Sequence, residues 1–191
     1  QNPVSNPMGK ATGRSAVMGL DVDAYYGLTK RDHLFDANGE PVDRKTGEDL
    51  EGDWVMFYTN HGFPNREGSI VGNVAYSYTD SDDVLSMGYG RFNVWREKLA
   101  EIAGWPLSSY NQYGRDWPSH AASAWDVTEG PLWELIFFSD CEGVLGPETC
   151  KKLAADFDAI TGDTSELEPT FSKFKAAVNR AANENGALKF H

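Results

Sequence analysis

The first regular pattern in the chain is an alternation. Met18, Leu20, Val22, Ala24 and Tyr26 fall on one side of an extended segment and Asp21, Asp23 and Tyr25 on the other, the period-two signature of a half-buried strand. Short apolar runs rich in branched and aromatic residues recur at 54–59 (WVMFYT), 73–79 (NVAYSYT) and 84–89 (VLSMGY), and predict three more strands. Asn38-Gly39 between two short apolar stretches predicts a tight turn, and the acidic run Asp80-Ser81-Asp82-Asp83 reads as the turn between the last two strands.

Past residue 90 the period changes. Phe92, Trp95, Leu99 and Ile102 recur at helical spacing, and Gly104 followed by Trp105-Pro106 supplies a stop. Residues 105–130 scatter aromatics among Pro, Ser and Gly, which predicts a long loop pinned by its rings, with a short helix at SHAASAW. The run PLWELIFF (131–138) fits a strand or a helix. The spacing of Trp133, Ile136 and Phe137 behind Pro131 favours helix. Pro147 opens a further helix with Cys150, Leu153, Ala154 and Phe157 on its apolar face, ended by Gly162. A last helix from Pro169 carries Phe171, Phe174, Val178 and Ala181 and leaves LKFH as a tail.

Strands first and helices second predict one α+β domain over 18–191, a small antiparallel sheet from the N-terminal half packed against three to four helices from the C-terminal half. Residues 1–17 are small and polar, with Met8 and Met18 as alternative starts, and are expected to be a flexible tail or vector remnant.

Charge narrows the partners. Seventeen Lys and Arg against twenty-nine Asp and Glu give −12, which repels phosphate backbones and anionic bilayers, so neither direct nucleic-acid binding nor membrane attachment is expected. An acidic face can instead mimic DNA toward a basic partner. Two cysteines are too few for a disulfide framework, and no apolar run suits a signal sequence or a span, which points to a reduced, cytoplasmic protein. The phosphate-loop, dinucleotide, nucleophile-elbow and paired-histidine zinc signatures are all missing, and no cofactor is expected.

Three constellations carry chemistry. In FFSDCEGVLGPETC (137–150), Asp140, Cys141 and Glu142 lie in a glycine-flanked turn before the Pro147 helix. One reading makes Cys141 a nucleophile, or Asp140 and Glu142 working carboxylates, served by a histidine such as His120 or His61. The other makes the loop architectural, with Ser139 and Asp140 bonding free amides and Cys141 packing as a small apolar residue. Two acidic neighbours discourage thiolate formation and favour this second reading. Around the first helix, Tyr89, Arg91, Asn93 and Arg96 gather planar polar groups. With Trp105, Trp117 and Trp125 they form a candidate pocket in which arginine grips a phosphate or carboxylate, with Asp140 as a further ligand contact. Asp21 and Asp23 share a strand face, and the DSDD run lacks the glycine and terminal glutamate of a calcium loop, so no metal site is predicted.

The segments MGLDVDAYYGL, YGRFNVWREKLAEIAGWP, GPLWELIFFSDCEGVLGPETCKKLAADF and ENGALKFH resemble a family of uncharacterised bacterial, prophage and phage proteins, over 18–191. The resemblance implies an intracellular accessory protein deployed between phage and host, and it implies no role for any residue. The expectation is a non-catalytic protein that captures a small polar, nucleotide-like ligand or a host protein, with countering a host defence as its purpose. A hydrolase built on Cys141 or Asp140 and Glu142, and an acidic DNA mimic or assembly protein, are the alternatives.

Overall fold

A computed structural model describes residues 19–191. In chain order the strands of the first half are β1 (Leu20–Tyr26), β2 (Thr29–Lys30), β3 (His33–Phe35), β4 (Pro41–Asp43), β5 (Trp54–Met56), β6 (Ala75–Ser77) and β7 (Asp80–Met87). Then follow α1 (Tyr89–Ile102), β8 (Ser108–Gln112), β9 (Arg115–Ser119), a 3-10 turn (Ala121–Ala124) and α2 (Trp133–Ile136). The chain closes with β10 (Gly143–Leu145), α3 (Pro147–Ala159), α4 (Thr170–Asn183) and β11 (Ala187–Phe190). The class is α+β, as predicted.

The alternation does build β1: Leu20, Val22, Ala24 and Tyr26 are fully buried and the residues between them only partly. Met18 lies outside the described residues. β1 lies within a four-stranded antiparallel sheet of order β10-β11-β1-β7. The predicted LKFH tail is thus a central strand, with Leu188 and Phe190 turned to the same face as the apolar row of β1. Four residues are too few for alternation to stand out in sequence.

The predicted acidic turn is also a strand. Asp80 to Asp83 begin β7 at the sheet edge, where Arg180 of α4 meets Asp80 at 2.7 Å and Asp82 at 3.5 Å. Tyr26 donates its hydroxyl to Asp82 at 2.8 Å, and the Arg180 guanidinium lies over the Tyr26 ring. A register shift opposite Val22 and Asp23 leaves Val84 as an extra residue, so that Val84 and Leu85 are buried in succession.

Helices α1, α3 and α4 cover the apolar face. Their buried rows contain the predicted residues, Phe92, Trp95 and Leu99 in α1, Cys150, Leu153, Ala154 and Phe157 in α3, and Phe171, Phe174, Val178 and Ala181 in α4. Gly104, at φ +90, ends α1 with paired bonds from its own amide to Glu101 and from Trp105 to Ala100. The opposite face of the sheet carries a smaller core, where Val144 and Ala187 meet Leu28, Val55, Phe57, Ile70 and Tyr76 beside the sheet β2-β6-β5. Asn38-Gly39 does turn the β3–β4 hairpin, with Asp36 accepting the amides of Asn38 and Glu40. The predicted 105–130 loop instead contains the β8–β9 hairpin, turned at Tyr113-Gly114, and the 3-10 turn falls within SHAASAW. The 131–138 run forms one helical turn, α2. No helix among the described residues is long and apolar enough to cross a membrane.

Phe190 is 1% exposed and packs against Phe138, Phe92 and Phe174 with ring centroids 4.9, 6.2 and 6.4 Å away. Phe190→Ala is expected to cost about 3–5 kcal/mol in urea unfolding, whereas Leu107→Ala, at a residue 65% exposed, changes little. High pH tests a second feature. Burial pushes the Cys150 thiol up to about 12, and burial with Asp23 nearby pushes the Tyr25 phenol up to about 12. In the unfolded chain they deprotonate near 9.0 and 10.0. A raised folded pKa contributes stability that is whole below the unfolded value and lost as pH rises toward the folded one. The urea midpoint should therefore hold to about pH 9 and fall between about pH 9 and 12.

Candidate functional site

One helix face organises the site. Asn93, Arg96 and Glu97 stand at i, i+3 and i+4 on α1, beside the row that faces the core, and so share a flank. The β8–β9 hairpin lies across that flank because Glu97 holds its end: the Glu97 carboxylate accepts the Ser119 hydroxyl at 2.6 Å, the Ala121 amide at 3.1 Å and the His120 amide. Burial raises the pKa of Glu97, but these hydrogen bonds and the nearby His120 outweigh it, leaving the carboxyl below its ordinary value. Between α1 and the hairpin opens a cleft of about 490 Å³, walled by Asn93, Arg96, Glu97, Tyr110, Gln112 and Trp125 among others. The Tyr110 and Trp125 rings meet at 5.6 Å between centroids.

Arg96 is the chemical centre of this wall. It is 8% exposed, and its guanidinium donates to the Phe138 carbonyl and to Asn93 Oδ1, both at 2.5 Å. Asn93 in turn donates to Asp140 at 2.9 Å, which places the predicted loop carboxylate one amide away from the arginine. Burial pulls the Arg96 pKa down to about 10, opposed by Asp140 and Cys141, so the cation persists at neutral pH. Among the described residues no carboxylate pairs with it directly; its acceptors are an amide oxygen and a backbone carbonyl.

The loop itself is spent on shape. Ser139 Oγ accepts the amides of Cys141 and Glu142 at 3.2 and 3.1 Å, and Asn60 donates to the Glu142 carbonyl at 3.0 Å. Gly143 holds φ +148, and a Cβ on Gly146 would lie 1.9 Å from the Glu67 carbonyl oxygen, so both glycines are required where they stand. Cys141 is exposed, Cys150 is buried, and both are free thiols. The Cys141 sulfur has Ser139 Oγ 3.6 Å away, and among the described residues no histidine hydrogen-bonds to it. His120 Nδ1 lies 2.7 Å from the Trp105 carbonyl, His33 receives the Ala75 amide, and His191 meets Asp23 at 2.8 Å. Among the described residues no hydrogen bond links any of these three to Cys141, and the fourth histidine, His61, is exposed.

The structure brings Asn93, Arg96 and Trp125 of the predicted set to the cleft wall, whereas Asp140 is not part of that wall and meets it through Asn93. Tyr89 packs against the core, and Arg91 lines a separate groove with Lys98 and Glu166. Trp117 is 46% exposed and is not part of the cleft wall, and Trp105 is in the core, donating to the Pro131 carbonyl. Glu142 is exposed, with its side chain unbonded among the described residues. Sequence reasoning missed Glu97, Tyr110 and Gln112. Only the i, i+4 spacing of Asn93 and Glu97 pointed toward the first.

Comparison with protein-family models, curated proteins and solved structures finds no match to this chain.

The two thiols differ in a way that mass spectrometry reads. Iodoacetamide at pH 8 is expected to add once to the folded protein, on Cys141, and a second time, on Cys150, only in denaturing urea.

Proposed function

We propose that the protein is a binding protein whose α1–hairpin cleft captures a small polar ligand carrying a flat ring and a negative group, a nucleotide-like molecule. The observation that carries this reading is Arg96, a buried cation in the wall of a 490 Å³ cleft, with no carboxylate paired to it among the described residues. A buried guanidinium held by neutral acceptors gains most from an incoming anion. Tyr110 and Trp125 supply surfaces for stacking, and Gln112 an amide for the ring edge. Among the described residues no histidine hydrogen-bonds to the Cys141 sulfur, which favours capture over turnover. The resemblance to phage and prophage proteins supports an accessory role, in which removing a small signalling molecule would blunt a host response. Docking of a host protein on the same face is the second form of that role.

Calorimetric titration with nucleoside monophosphates and cyclic nucleotides at fixed salt tests it. Binding is expected to weaken by about 5- to 150-fold in Tyr110→Ala, the range that base stacking is worth, and at least tenfold in Arg96→Lys, which keeps the charge but loses the planar fork. Equal affinity in wild type and both variants, or no binding across the panel, overturns the reading.

A further inference from the structure

A second arginine is buried close by. Arg66 is 3% exposed and donates to the carbonyls of Pro64 at 2.9 Å and Phe137 at 2.8 Å. Phe137 directly precedes Phe138, whose carbonyl Arg96 holds, so two arginines from distant parts of the chain grip successive peptide groups. Unlike any other buried side-chain donor among the described residues, Arg66 Nε has no hydrogen-bond partner. An unspent buried donor on a cation is costly. The guanidinium lies 3.9 Å from the Trp133 ring centroid, and that ring is fixed by its indole N–H on the Ala124 carbonyl at 2.8 Å.

These groups border a second cleft of about 520 Å³, walled by Phe63, Arg66, Trp125, Val127, Trp133 and Phe137 among others. It shares Trp125 with the first cleft. We propose that this second cleft is a distinct binding site for a small monoanion with a flat apolar body, an aromatic carboxylate. The charge follows from Arg66, a cation bordering the cleft whose direct acceptors are two neutral carbonyls. The limit to a single charge follows from Glu134, which stands in the same wall and already holds Lys152 at 2.7 Å, so a dianion would meet a carboxylate as well as the arginine. The flat apolar body follows from the ring-lined walls.

Indole-3-acetate and benzoate titrated into the full chain test the assignment, with indole-3-acetamide and benzamide as uncharged counterparts. Nitrogen–proton NMR reads the Trp133 indole and the Arg66 Nε–H. The carboxylates are expected to shift both signals saturably, the amides to bind at least tenfold more weakly, and Val127→Trp, at a residue 41% exposed, to remove the response by filling the cleft while leaving Arg66 in place. Absence of saturable shifts, amides binding as tightly as acids, shifts confined to the Arg96 and Trp125 signals, or an undiminished response in Val127→Trp would each overturn it.

Discussion

Everything in this fold leans on the placement of β11 between β1 and β10. Among the described residues β1 and β10 share no ladder of their own; the four residues Ala187–Phe190 join the chain's first described strand to the one that follows the 137–142 loop. The same strand feeds both cores, Leu188 and Phe190 on the helical side and Ala187 on the other. From β10 the chain passes through Gly146 straight into α3, with the Gly146 amide on the Arg66 carbonyl at 2.8 Å and Thr149 on that same oxygen at 2.8 Å. The position of β11 therefore sets that of the loop, and the loop sets what the two arginines can reach.

Those arginines bring positive charge into the walls of both clefts, each beside a glutamate in the same wall, Glu97 in one and Glu134 in the other. The chain bears a net −12, which disfavours the long-range approach of anions, yet the cleft walls hold arginines with no directly paired carboxylate among the described residues. Exposed charges are screened over about 8–10 Å at physiological salt, while a buried cation acts in a lower effective dielectric on whatever touches it. Contact should therefore dominate over approach. Under the proposed function, an anion would be held by contact geometry rather than by long-range attraction.

Much of the helical half was legible because its apolar rows run over three or four turns, long enough for period to show, as in Phe171, Phe174, Val178 and Ala181. The strands were harder. β10 is three residues that begin on Gly143 and are followed by Gly146, a glycine-flanked stretch that read as a turn, and β11 is four. The acidic start of β7 violates strand composition and is tolerated because it lies at an edge and meets Arg180, nearly a hundred positions away. The β8–β9 hairpin hid behind Pro118 and exposed polar residues, since it stands off the main sheet as a two-stranded ribbon. In the site, Arg96 and Asn93 were found from residue type, but Arg91, equally cationic, turns to the other flank of α1. Helix phase decided between them, and the hairpin that gives that phase its meaning could not be read.

The 139–146 loop is tied down by hydrogen bonds of its own and by its neighbours. Its hydroxyl caps two amides, Asp140 serves Asn93, the Glu142 carbonyl serves Asn60, and its glycines are fixed by strain or by close approach. The Cys141 sulfur has Ser139 Oγ 3.6 Å away, and that oxygen already accepts two backbone amides. Recognition asks for groups held rigid in advance, so that little ordering entropy is lost on binding. Arg96 and Arg66 are clamped to successive carbonyls of one segment, and under the proposed function the loop would hold that segment still before a ligand arrives.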